Sequence, residues 1–100
     1  MIAYKLFRLR KNGTLGSLFI NRQAVLPVGK WMEAKTHPTT RFVVRHGWHC
    51  LDAPYAPHLS KRGRVWAKVE IEDYQTIQRP ASQGGRWYLA DIMRILEVLQ

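Results

Sequence analysis

The run from Arg64 to Glu72 alternates strictly between apolar and polar positions, and it constrains the fold more than any other part of the chain. Successive side chains of a β-strand point to opposite faces of a sheet, so this pattern predicts a strand with one buried face. That face holds the aliphatic residues Val65, Ala67, Val69 and Ile71. Trp66 is then expected on the other face, between Arg64 and Lys68, as a stacking group or as a second layer of packing under a loop.

The two ends of the chain predict a hairpin and a helix. Asn12-Gly13 between residues 3–10 and 15–22 is a strong hairpin signal. A stripe at helical spacing follows near the end of the chain, formed by Tyr88, Ile92, Ile95, Leu96 and Leu99. With no repeat or linker, we predict a single domain over residues 1–100 of the α+β class. It is a small, mostly antiparallel sheet with an N-terminal hairpin and one main C-terminal helix packed across it.

The charge distribution predicts an anionic partner. The net charge is +9, from 16 Lys and Arg against 7 Asp and Glu. Most of the excess lies in residues 1–50, where Glu33 is the one acid. A positive field of this size attracts phosphate groups. A nucleotide or nucleic acid is therefore the expected partner, with an acidic protein as the alternative.

Cysteine content and hydropathy indicate the compartment. Cys50 is the one cysteine, so an internal disulfide is excluded and a reducing cytoplasm suits the chain. No apolar run approaches the roughly 18 residues that a membrane-spanning helix needs. We therefore predict a cytoplasmic protein with no membrane association, and the oligomeric state stays open.

Residues 45–66 are unusually rich in imidazole, guanidinium and indole groups, which predicts the wall of a binding site. Cations suit phosphate, and indoles suit the stacking of bases. The predicted ligand-binding residues in and beside this segment are Arg45, His46, Trp48, Arg64, Trp66 and Lys68.

His49 and His58 are the candidate catalytic residues. Imidazoles titrate near neutral pH, so a pair of them can exchange protons across a phosphodiester. Whether they are catalytic or only polar lining is left open. A metal site is not expected, because the set of histidines with one cysteine is incomplete. We also expect no cofactor, and Cys50 is interpreted as a small buried hydrophobe.

A second candidate anion site precedes the predicted helix. Gly84 and Gly85 would leave backbone N–H groups available to a phosphate at the helix start, with Gln83 and Arg79 beside them. The alternative is a tight turn that needs positive φ.

The chain resembles a small uncharacterised family carried by phages and mobile elements. The residues that carry the resemblance are Arg45-His46-Gly47-Trp48-His49, Ala56-Pro57-His58-Leu59, Arg64-Val65-Trp66, and Arg79-Pro80 with Gln83-Gly84-Gly85. The resemblance implies a setting of phage–host conflict or phage takeover, inside the host cell. Small basic proteins in that setting bind a host enzyme, a nucleic acid or a signalling nucleotide.

A more local likeness is to ADP-ribosyltransferases. Gly47-Trp48-His49 followed by Ala56 is similar to their glycine–aromatic strand end and the short helix after it. The likeness would need Glu70 or Glu72 as the catalytic glutamate.

Three functions follow from these patterns. The first is a module that binds a phosphate-bearing ligand, either a signalling nucleotide or a nucleic acid. The second is an enzyme that acts on such a ligand, by histidine-based phosphodiester cleavage or by ADP-ribosyl transfer. The third is an inhibitor that binds a host protein.

Overall fold

The computed structural model describes residues 1–16, 25–34 and 47–99, and the backbone alone of residues 37–38 and 44–45. In this part of the chain, the regular secondary structure consists of β-strands and one short 3₁₀ turn at Ala81–Gln83. The strands are β1 (Ile2–Leu9), β2 (Leu15–Gly16), β3 (Trp31–Glu33), β4 (His37–Pro38), β5 (Val44–Arg45), β6 (Trp48–Leu51), β7 (Arg64–Gln78) and β8 (Arg86–Val98).

Four antiparallel strands form a closed ring. β1 pairs with β7, β7 pairs with β8 along most of its length, and β8 pairs with β6. β6 returns to β1 through one residue pair, Tyr4 opposite Leu51. β7 bends to close the ring, with a register shift at Lys68/Val69 and a positive φ of 51° at Asp73. Irregularities of this kind increase the local twist of a strand.

Two strand predictions are confirmed. β1 and β2 form the predicted hairpin, with Leu9 opposite Leu15 and Gly13 at a φ of 85° in the turn. The remainder of the second predicted strand, residues 17–22, lies outside the described residues. β7 covers the predicted strand and continues to Gln78.

The predicted C-terminal helix is wrong, and with it the α+β class, because residues 86–98 form β8. The described residues form a β-rich fold in which the one helical element is the short 3₁₀ turn. No helix in this part of the chain is long and apolar enough to cross a membrane. The misleading spacing has a structural cause. The residues of β8 that are buried inside the ring are Tyr88, Ala90, Met93 and Ile95. Their spacing is two residues except between Ala90 and Met93, where a step of three resembles a helical period. Residues 79–85 connect the two long strands instead of preceding a helix.

The main core lies inside the ring, on one face of all four strands. Strand alternation places its members there, and they are almost inaccessible to solvent. They include Ala3, Phe7, Cys50, Ala67, Val69, Ile71, Tyr88, Ala90, Met93 and Ile95.

A second layer covers the outer face of the ring. We call it the outer cluster, and it consists of Leu6, Leu51, Ala56, Trp66 and Trp87. Ala56 belongs to the loop between β6 and β7, so this loop folds over the face that carries Trp66. Trp66 is therefore a packing residue of the second layer. Residues 54–60 form a series of bends and turns, and Asp52 accepts a hydrogen bond from the Tyr88 hydroxyl.

A lysine helps to close the ring. The side chain of Lys5 lies on the inner face between Ala3 and Phe7, and its Nζ donates a hydrogen bond of 2.9 Å to the backbone oxygen of His49. This contact joins β1 to β6 where their backbones pair only once. Burial lowers the pKa of Lys5.

The buried Cys50 thiol should be protected from alkylating and disulfide reagents. Cys50 is fully inaccessible, and burial raises its pKa to about 11 from an ordinary value of 9.0. A rise of two pKa units lowers the fraction of Cys50 present as the reactive thiolate about 100-fold at pH 8. We expect a colorimetric disulfide reagent to react at least about 100-fold more slowly with the native protein than with the protein in denaturant. Equal rates in the two states would contradict the placement of Cys50 in the core.

Candidate functional site

A shallow, solvent-open cleft of about 530 Å³ lies where the end of β1 meets the start of β7. Five of its seven lining residues carry a positive charge, and none is acidic. We call it the basic cleft, and it is lined by Arg8, Leu9, Arg10, Lys11, Arg62, Gly63 and Arg64.

Two arginines face each other across the strand pair in this cleft. Arg8 and Arg64 are direct partners in the register of β1 and β7, so their side chains leave the same face of the sheet. Like charges directly opposite each other destabilise a strand pair. The pair therefore places two guanidinium groups at neighbouring positions on one face of the sheet.

The backbone around the cleft is well supported. The N–H of Leu9 donates to the Gly63 carbonyl at 2.9 Å, and the N–H of Arg64 donates to the Lys61 carbonyl at 3.0 Å. Gly63 has a φ of 68°, which a residue with a side chain rarely adopts, so this tight turn favours glycine. Arg62 is thereby presented at the exposed tip of the turn.

Two of the arginines are oriented by backbone carbonyls. Arg10 Nη1 donates to the Leu15 carbonyl at 2.9 Å, and its guanidinium packs against Gly16. Arg64 Nη1 donates to the Ser60 carbonyl at 3.1 Å. Groups that are held in place before a ligand arrives lose less conformational entropy on binding.

A second group of polar side chains surrounds the indole of Trp87. His49 and His58 approach this ring edge-on, at centroid distances of 6.3 and 5.8 Å. The Arg79 guanidinium lies over the ring, 5.0 Å from its centroid. The indole N–H donates to the Gln83 carbonyl at 2.6 Å. We call these five residues the Trp87 cluster.

The Trp87 cluster joins residues that the sequence singled out separately. The two candidate catalytic histidines each contact the Trp87 ring, as Arg79 and Gln83 do, and Gly84 packs closely beside it. Trp87 itself was missed, because it was placed just before a predicted helix. Recognition of residues 79–85 as a hairpin connection would have pointed to it.

The remaining predicted ligand contacts have other positions. The indole N–H of Trp48 donates to the Met32 carbonyl at 3.3 Å, and the ring packs on the main core. Lys68 Nζ lies 4.0 Å from a Glu97 carboxylate oxygen, on the outer face. Of Arg45 the backbone alone is described, in β5, and His46 lies outside the described residues.

The glycine pair serves the hairpin connection. The N–H of Gly84 donates to the Ala81 carbonyl at 3.1 Å, and that of Gly85 donates to the Pro80 carbonyl at 3.2 Å. Both residues have positive φ, 95° and 77°. The tight-turn interpretation therefore accounts for them, and the helix start on which their anion-binding role depended is absent.

The transferase likeness has little support in the local structure. Ala56 lies in a loop instead of a helix, and Glu70 forms an ion pair with Arg94 across β7 and β8. Glu72 is exposed. Among the described residues, no group of three or more His, Cys, Asp or Glu could hold a metal ion.

Comparisons with known proteins return no match: no family model, curated protein or solved structure corresponds to this chain. The resemblance to a phage-borne family therefore stays a prediction.

Proposed function

We propose that this protein binds a phosphate-bearing ligand through the basic cleft. The observation that carries the proposal is that, among the described residues, five cationic side chains and no acidic one line the cleft, with Arg8 directly opposite Arg64. Arginine guanidinium groups match the geometry of phosphate oxygens and form charge-assisted hydrogen bonds with them.

The charge of the whole chain supports the same function. A net charge of +9 creates a long-range attraction for polyanions and concentrates them near the surface. The cleft then supplies the local contacts. Both a nucleic acid and a nucleotide carry the negatively charged phosphate groups that such a surface attracts.

The proposal predicts that neutralising one cleft arginine weakens binding more than neutralising a cation elsewhere. Arg62→Gln should reduce the affinity for a fluorescein-labelled oligonucleotide about tenfold, because a charge-assisted hydrogen bond is lost. Lys30→Gln is the matched control, since Lys30 is exposed and lies outside the cleft. Fluorescence anisotropy measures both affinities, with ATP and inorganic polyphosphate as unlabelled competitors.

A salt titration completes the test. The plot of log affinity against log salt concentration should lose about one unit of slope in Arg62→Gln, corresponding to one phosphate contact. The proposal fails if Lys30→Gln weakens binding as much as Arg62→Gln does. It also fails if no phosphate-bearing ligand binds at low salt.

A further inference from the structure

The basic cleft and the Trp87 cluster are joined by one loop. Residues 52–63 leave β6, cover the outer cluster and enter β7 at Arg64. His58 contacts Trp87, and Arg62 lines the cleft. They are four positions apart in the sequence, so their Cα atoms are at most about 14 Å apart even in a fully extended chain. One short ligand could therefore contact both places.

This loop also presents an exposed aromatic ring. Tyr55 is 63% exposed although its neighbour Ala56 is buried in the outer cluster. A Cβ atom placed on Gly84 would lie 3.4 Å from the Tyr55 carbonyl oxygen, so Tyr55 sits beside the hairpin connection that carries Arg79. An exposed aromatic ring on a positively charged protein is a surface on which unpaired bases can stack.

The charges along this surface favour a polyanion. Within the part of the chain that the structure describes, the Arg79 guanidinium contacts no carboxylate and lies over the Trp87 ring. Asp52, the one acid of the loop, accepts a hydrogen bond from the Tyr88 hydroxyl. His58 is exposed beside the Trp87 ring, and its imidazole N–H can donate a hydrogen bond to a phosphate.

We infer that the ligand is a single-stranded nucleic acid whose backbone runs from the basic cleft along the loop to Arg79, with a base stacked on Tyr55. This inference rests on the proposed function and specifies its ligand class. In a duplex the bases are stacked on each other, so none is available to stack on the Tyr55 ring. We call the path from the basic cleft along residues 52–63 to Tyr55 and Arg79 the track.

The length of the oligonucleotide tests the inference. Thymidine oligonucleotides of about two and about ten nucleotides, and a duplex of about ten base pairs, compete with a labelled single strand. The longer single strand should bind at least about tenfold more tightly than the dinucleotide, and more tightly than the duplex.

Variants at the far end of the track should act on the long ligand only. Tyr55→Ala should weaken binding of the longer strand about tenfold and leave the dinucleotide unaffected, whereas Tyr55→Phe should retain the wild-type affinity. Arg79→Gln should resemble Tyr55→Ala. Tyr74→Ala is the matched control, because Tyr74 is an exposed tyrosine on the β7–β8 hairpin. Arg62→Gln should weaken both lengths.

The possible failures are distinguishable. If length has no effect and Tyr55→Ala and Arg79→Gln are silent while Arg62→Gln still weakens binding, the track is refuted and the proposed function stands. Equal affinity for the duplex, or preference for ATP, also refutes the track. If Arg62→Gln is silent as well, both proposals fail.

Discussion

Trp87→Ala should lower the free energy of unfolding by about 3–5 kcal/mol, the usual cost of deleting a large buried aromatic side chain. Trp87 is 6% exposed and packs in the outer cluster with Leu51 and Trp66. The substitution also removes the hydrogen bond to the Gln83 carbonyl and the ring under Arg79. Urea denaturation followed by circular dichroism measures the change, since fluorescence itself depends on the tryptophans.

Two further variants make this result interpretable. Trp87→Phe keeps an aromatic ring but loses the indole N–H, so it should cost less, about 1–2 kcal/mol. Trp31→Ala is the control for loss of a tryptophan at a more exposed position, 38% accessible, and should cost about 1 kcal/mol.

A domain of this size has a stability of only about 5–15 kcal/mol, so the cost of Trp87→Ala is a large part of the total. The graded order of the three variants still decides: equal effects of Trp87→Ala and Trp31→Ala would contradict the outer cluster.

Local patterns predicted the strands correctly where aliphatic residues occupy every second position. Ala67, Val69 and Ile71 alternate along β7 and lie in the core as expected. The pattern failed in β8, because both of its faces are partly covered there. Trp87 packs in the outer cluster and Tyr88 in the main core. A strand that is buried on both sides carries no simple alternation, and its apolar residues can then fit a helical period by chance.

The site was only partly predictable, because its assembly depends on non-local strand pairing. Arg64 was predicted to contact phosphate, but Arg8, the residue opposite it in β1, was not. Nothing in the sequence near Arg8 shows that β1 lies antiparallel to β7, more than fifty residues away in the chain. His49 and His58 were predicted as a pair of candidate catalytic residues, and both contact Trp87 at the start of β8, a residue that the sequence analysis had not selected.

Gly84→Ala should destabilise the protein by about 2–4 kcal/mol, the second largest effect we expect. Gly84 has a φ of 95°, where a residue with a side chain is strained. Its new Cβ would also lie 2.7 Å from Leu51 Cδ2 and 3.3 Å from the indole nitrogen of Trp87. Because Leu51 and Trp87 are both buried, neither can move away without disturbing the outer cluster.

Gly85→Ala separates the two causes. Gly85 has a similar φ of 77°, but a Cβ atom there would meet nothing within 4 Å. It should therefore show the backbone strain alone, about 1–2 kcal/mol. Combining Gly84→Ala with Leu51→Ala removes the close contact, so the double variant should be less destabilised than the sum of the two single variants. Equal costs at the two glycines, together with strict additivity in the double variant, would show that the hairpin connection does not pack against Leu51 and Trp87. In that case the loop, Arg79 and His58 would lack the common support that brings them to one surface.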